Sequence, residues 1–312
     1  MALVFGVPSA IPGDIPSSRS RISHKWTDWT GAEWDLTAHD GTSGVVLLHD
    51  GITGLHMPEF ERYTDALATR HGQVLRGHQV KPRDVVWPLF LYEDTTSEAW
   101  TQYDALFWRG MHPMRPGTWT VEAPGSEARS LTCTFASSDP AFARDPAYAQ
   151  WAIYAVQLVA DDPFWHGPEV MPQFRDQQPV NWLGGGPVDQ PGAATPFVIS
   201  PNSTASTANV SNNGDLEAWI AWEAIGPIDA GLRLGVGDRT ITIGAAIPAG
   251  SRLILDTDPS SQQPLINGAE YEPIVRPSYA PIPTGGRTDL VVDMHGAGAV
   301  VAKLTPRYYR AW

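Results

Sequence analysis

The chain has 312 residues, 42% of them hydrophobic and 18% charged, with a formal net charge of −13; its length suits one large domain or two medium ones of about 150 residues each. Lys and Arg number 12 against 20 Asp and Glu in residues 1–165, and 9 against 14 beyond, so the two halves carry −8 and −5. Neither half has the basic face on which a nucleic-acid binder relies, and with one cysteine, Cys133, an internal disulfide or a cysteine zinc cluster is excluded.

The first residues, MALVFGVPSAIPGDIP, lack the basic flank and long apolar run of a signal peptide. No apolar run reaches the about 18 residues of a membrane span. A soluble protein made in a reducing compartment is expected, without membrane insertion. Short strands then follow: WTDWTGAEWDLT, GVVLLHDG and VVWPLFLY are rich in Val, Trp and Leu and are bounded by turn residues. A weak helical spacing of Phe60, Tyr63 and Leu67 suggests a helix from Pro58 to Arg70. A stronger helix is expected over 95–110, TTSEAWTQYDALFWRG, with Thr95-x-x-Glu98 as a capping box. Trp100, Tyr103 and Phe107 would share its buried face, and Gly110 would end it. TWTVEA, SLTCTFAS and AIYAVQLVA continue the strand pattern, with Cys133 read as a small buried hydrophobe.

Residues 166–194 hold Gly184-Gly185-Gly186 and several prolines with little periodicity, so they read as a linker or arm. From residue 195 the chain reads as strand and turn throughout. The expectation is a mainly β protein of two β-sandwich domains, residues 1–165 with one α-helix and residues 195–312.

Catalytic signatures are weak. The nine histidines are scattered, and each reads as solvated or locally hydrogen-bonded. Asp256-x-Asp258 has the spacing of a calcium loop but lacks the glycine and distal Glu, so a solvated turn is the simpler reading. No nucleophile elbow, phosphate loop or dinucleotide fingerprint is present. No enzyme activity, cofactor or metal site is therefore assigned. Many aromatics and few charges suit the interfaces of a stable assembly. An alternative is a carbohydrate-binding adhesion protein whose C-terminal sandwich binds host surface glycan, with Tyr271 and Tyr279 as glycan contacts.

Several stretches carry a family likeness. WDLTAHDGTSGVVLLHDGITGLHMPEFERY, VLRGHQVKPRDVVWPLFLYEDTTSEAWTQYDALFWRGMHP, GTWTVEAPGSEARSLTCTF, DDPFWHG and NVSNNGDLEAWIAWEAIGP occur in this order. Together they resemble the distal tail proteins, or minor tail proteins, of long-tailed siphophages infecting actinobacteria. The residues that carry the likeness are Trp34, Arg83, Trp87, Pro88, Trp165, Gly214, Asp215, Trp219, Trp222, Gly226 and Pro227, all expected to pack rather than react. Ile220 departs from the family's usual proline, and residues 271–312 match little.

The resemblance implies an N-terminal ring-forming sandwich with a long β-hairpin, whose Arg-Gly strand pairs with the Arg-Asp-Val-x-x-Pro strand. It implies a second sandwich that is galectin-like or resembles a carbohydrate module. It also implies a structural component of the tail tip, a homo-hexameric ring that joins the tail tube to the baseplate hub and host-recognition proteins. Its partners would be the tail-tube, tail-associated hub and tape-measure proteins, with receptor-binding proteins or host glycan beyond. DNA would cross the ring without specific binding. Its place would be the distal end of the virion tail, after assembly in the host bacterial cytoplasm.

Overall fold

The computed structural model describes residues 20–37, 41–66, 71–140, 142, 144–175, 198–199, 206–261, 264–271, 274–276 and 278–312. The first half forms β1 (Ser23–Thr27), β2 (Glu33–Asp35), β3 (Ser43–Leu47), β4 (Phe60–Ala66), β5 (Gln73–Val80) and β6 (Arg83–Glu93). It continues through α1 (Ser97–Arg109), β7 (Gly117–Glu122), β8 (Arg129–Pro140), α2 (Pro146–Ala149), β9 (Trp151–Ala160) and β10 (Trp165–His166). The sheet runs β2-β1-β7-β8-β9-β6-β3. β8 serves both ends of it: residues 129–133 pair with β7, residues 134–140 pair with β9, and the register shifts between Phe135 and Ser137. Trp87 of β6 meets Trp26 of β1 and Trp119 of β7 at 5.2 and 5.1 Å. Those strands are not neighbours in the sheet, so the sheet folds over on itself and closes a sandwich.

Strict alternation explains why these segments are strands. On β6, Val85, Trp87, Leu89 and Leu91 point inward, and on β9 so do Ala152, Tyr154, Val156, Leu158 and Ala160. Period-two burial of such side chains stabilises by about 1.5–3 kcal/mol each. Pro88 is tolerated in mid-strand because β3 pairing begins one residue later, at Leu47 with Leu89. At Pro88 that side of β6 receives only the Leu48 amide on its carbonyl, so the missing donor breaks no ladder bond.

The helix starts one residue later than its sequence signal. Thr96 accepts the Ala99 amide as the cap, whereas Thr95 gives both its amide and its hydroxyl to the Glu93 carboxylate. Glu93 thus holds Thr95 outside the helix and the Thr95–Glu98 capping box does not form. The expected helix from Pro58 is replaced by a hairpin: β4 pairs with β5 across a bulge between Tyr63 and Thr64. Strand pairing overrides the weak helical spacing, and Leu67 lies outside the described residues. The Arg76-Gly77 strand is that partner, β5, and it does not pair with β6, whose neighbours are β9 and β3.

The second half forms β11 (Gln173–Arg175), β12 (Val198–Ile199), β13 (Ser206–Ser211), β14 (Ile220–Ile225), β15 (Leu232–Val236), β16 (Arg239–Ile243) and β17 (Arg252–Asp256). β18 (Pro264–Ile266), β19 (Ala269–Glu270), β20 (Ile274–Arg276), β21 (Arg287–Asp293), β22 (Ala299–Leu304) and β23 (Arg307–Tyr308) complete it. One sheet runs β12-β11-β22-β14-β17-β18-β19 and the other β13-β21-β15-β16-β20. A second apolar core joins them, with Trp222, Leu253 and Val300 from the first sheet and Leu234, Ile241 and Leu290 from the second. The protein is therefore mainly β, built around two sandwich cores.

Two features depart from a simple division near residue 166. Within the stretch read as a linker, residues 173–175 form β11, antiparallel to β22. And the chain returns: β23 pairs with β10, placing Tyr308 and Ala311 in the first core, not the second.

Candidate functional site

Among the described residues, no group of three or more His, Cys, Asp or Glu is placed to hold a metal. Asp256 and Asp258 are engaged in their own turn. Asp256 accepts the Asp258 amide and the Ser261 hydroxyl, and Asp258 accepts the amide and hydroxyl of Ser260. The Cys133 thiol is buried, and desolvation pushes its pKa up to about 12, so it is inert as a nucleophile. His24 is not the solvated histidine its sequence suggests. It is 3% exposed, stacks on Trp119 at 5.8 Å and leaves Nδ1 without a hydrogen-bond partner. Burial first, and His49 second, lower its pKa to about 4.

A heavily bonded side chain in the first half is Arg83. Its guanidinium is 2% exposed and bonds only to backbone carbonyls: Pro163 at 2.6 Å, Gly54 at 2.7 Å, Tyr309 at 2.9 Å, and His56. Desolvation lowers its pKa to about 10, which leaves it charged at neutral pH. The fork ties the loop after β3, the turn before β10 and the returning C-terminal segment into one knot. Around it, Trp165 donates its indole N–H to Gly54 O at 3.2 Å. Arg129 lies 3.6 Å over the Tyr308 ring and bonds Arg310 O, and Ala311 N bonds Leu55 O.

The remaining family-marking residues also pack. Trp34 sits edge-on to Phe107 at 5.2 Å and donates to Asp28. Gly214 is not among the positive-φ glycines. A Cβ there would lie 2.7 Å from Arg307 O and 2.8 Å from Arg307 N, so close backbone approach requires the glycine. Asp215 then bonds Arg307 O through its amide and receives Tyr309 N on its carboxylate. The turn at 212–215 thereby clamps the returning segment from the side of the second core. Gly226 leaves no room for a Cβ against Pro248 O, and the peptide bond to Pro227 is cis.

Trp219 and Trp222 differ in role. The strand begins at Ile220, so Trp219 precedes it and is half-buried, whereas Trp222 is 1% exposed in the core. The outer face of β14 is polar at its centre. Glu223 sits there between Arg252 at 2.6 Å and Lys303 at 2.9 Å, and Arg252 above all holds its carboxyl below the usual range. Both cations come from flanking strands in diagonal cross-strand positions. Tyr271 and Tyr279 are half-buried and pack against the second core.

The hairpin β4–β5 is the surface that sequence reasoning left without residues. Met57, Phe60, Tyr63 and Leu75 are 46–55% exposed. Phe60, Leu75 and Val80 share one hairpin face and, with Met57 and Tyr309, line an open apolar cleft of about 250 Å³ rimmed by Arg62 and His78.

No family model and no curated protein matches the chain. Among the solved structures that share its fold are three phage proteins. One is the Dit (gp 19.1) protein of phage SPP1, described as a paradigm of the hub adsorption apparatus in phages infecting Gram-positive bacteria. It has a TM-score of 0.59 and 11% identity, over 92% of this chain and 99% of that one. The others are chains of the phage P2 baseplate in its activated conformation. The calcium form has a TM-score of 0.52 at 10% identity, over 92% and 98% of the two chains. The strontium form has 0.51 at 10% identity, over 91% and 98%. Across nearly its whole length, this chain has the fold of these phage hub and baseplate proteins.

Proposed function

We propose that the chain is a structural component of the distal tail of a long-tailed phage. It forms a ring that joins the tail tube to the baseplate hub and the host-recognition proteins. The observation that carries this reading is the shared architecture, which spans both sandwiches rather than one common module. The chemistry agrees: the marked residues pack, the one thiol is buried, and the described acids and histidines form no ligand cluster.

In this reading residues 1–165 build a homo-hexameric ring and residues 195–312 form the outer sandwich. The partners are the tail-tube, hub and tape-measure proteins. DNA crosses the lumen without specific binding, a passage favoured by the −13 net charge because like charge keeps a duplex from sticking. The host is an actinobacterium, in whose cytoplasm the tail assembles. The glycan-adhesion alternative has less behind it, since the rings of Tyr271 and Tyr279 lean on the core.

The test is made on particles. An antibody raised against the purified chain should label the free end of the tail, with six copies per particle by quantitative mass spectrometry. Label on the capsid, or a chain missing from purified virions, refutes the proposal.

A further inference from the structure

Resting on the ring reading, we infer that the apolar cleft of the hairpin is a socket for a second copy of this chain, filled by Phe142 and Tyr148 from the region around α2. Phe142 is 50% exposed and Tyr148 is 84% exposed, values unusual for aromatics that nothing covers. Phe142 is steadied by Tyr154, edge-on at 5.8 Å. Tyr148 projects from the short helix capped by Asp145.

The topology sets the two patches apart. β6 and β9 pair along their whole length, from Arg83 with Ala160 to Tyr92 with Trp151. The hairpin enters at the Arg83 end, and Arg83 itself grips the loop that lines the cleft. α2 precedes Trp151 at the other end. Eleven strand residues span about 33 Å, so cleft and knob lie at opposite ends of one rigid strand pair. Two unlike patches at opposite ends make a head-to-tail contact, which propagates around a ring. A single self-complementary patch would stop at a dimer.

Size and charge support this occupant. A cleft of about 250 Å³ is smaller than the roughly 300–1,000 Å³ of small-molecule sites and suits one or two side chains. Its rim carries Arg62 and His78; of the other hairpin charges, Arg76 pairs with Asp65 and Lys81 with Glu59, and Glu61, opposite Gln79 in the register, belongs to the other face. The stretch 139–148 that carries the knob holds Asp139 and Asp145 against one cation, Arg144, and is net negative. Docking therefore brings a cation toward acids at the edge of an apolar contact.

The experiment uses the full-length chain with Leu75→Asp in the socket and Tyr148→Asp on the knob, both at exposed positions. Mass is read by analytical ultracentrifugation. The native chain should associate, and each variant alone should lose association by at least tenfold in concentration. An equimolar mixture should form a one-to-one dimer, because it retains one intact socket and one intact knob. For contacts too weak to sediment, a Leu75→Cys chain mixed with a Tyr148→Cys chain should form a disulfide heterodimer, while Cys133 stays silent in the core. Either variant associating like the native chain overturns the assignment of patches and leaves the ring reading standing. A mixture that stays monomeric while the native chain assembles overturns the head-to-tail geometry. A monomeric native chain without the heterodimer overturns this inference, while particle labelling decides the ring reading separately.

Discussion

Replacing Arg83 by methionine keeps the aliphatic stem and removes every guanidinium bond. Four carbonyls lose a donor. Gly54 O keeps the Trp165 indole, which leaves His56, Pro163 and Tyr309 as the carbonyls that lose most. At about 1–1.5 kcal/mol for each buried acceptor left unsatisfied, the loss is about 3–4.5 kcal/mol. Removing a buried charge returns about 1 kcal/mol of desolvation, so the net destabilisation is about 2–3.5 kcal/mol. Lysine at this site has three donors on a single atom and cannot span four separated carbonyls, so Arg83→Lys should lose about half as much. The assay is urea unfolding followed by tryptophan fluorescence, which reports chiefly the first core because Trp26, Trp87, Trp119 and Trp165 lie there. Amide exchange of Ala311 should accelerate in parallel, because its amide bonds Leu55 O beside the knot. A loss below about 0.5 kcal/mol in Arg83→Met, with unchanged exchange, would show that the carbonyl cage is decoration rather than a tie.

Two further outcomes follow from burial. Trp222→Ala should destabilise the second core by about 3–5 kcal/mol, while Trp219→Ala, at a half-buried position outside the strand, should lose about 1 kcal/mol; equal losses in thermal melts would contradict the difference in their packing. His24 has a folded pKa of about 4 against an ordinary 6.5, so the unfolded chain binds the extra proton between these values. Its contribution is complete above pH 6.5 and is lost as pH falls toward 4, by about 2 kcal/mol after allowing for solvent in the cavity that His24 lines with His49 and Trp312. In His24→Phe the urea midpoint should fall less over that interval than in the native chain, and an identical pH dependence would remove His24 as the cause.

Strands were legible wherever one face is buried, because alternation is written directly into β6 and β9. The helix was legible from Trp100, Tyr103 and Phe107, but its cap was misplaced by one residue. Glu93, outside the helical window, captures Thr95, and no local pattern reveals that competition. The β4 segment was read as helix because both faces of the hairpin are exposed and its apolar residues contact little in the monomer. The clamp between Gly214 and Arg307 and the knot around Arg83 join residues 93 and 226 positions apart. Such long-range closures leave no periodic trace in a single sequence. The twin tryptophans illustrate the same limit: their spacing is plain, but only the neighbouring Arg252 and Lys303 decide that one face of β14 is polar.

The return of residues 307–312 to the first core sets the order in which the molecule can be completed on the ribosome. Tyr308 and Ala311 supply part of a core begun by Trp26, so that core waits for nearly 300 residues of synthesis before it can close. Until then the Arg83 guanidinium lacks its Tyr309 acceptor and the loop around Leu55 lacks its cover. The second core, whose described residues run from Phe174 to Leu304, is itself complete only four residues before Tyr308. A prematurely terminated chain would carry an open first core, which proteases recognise.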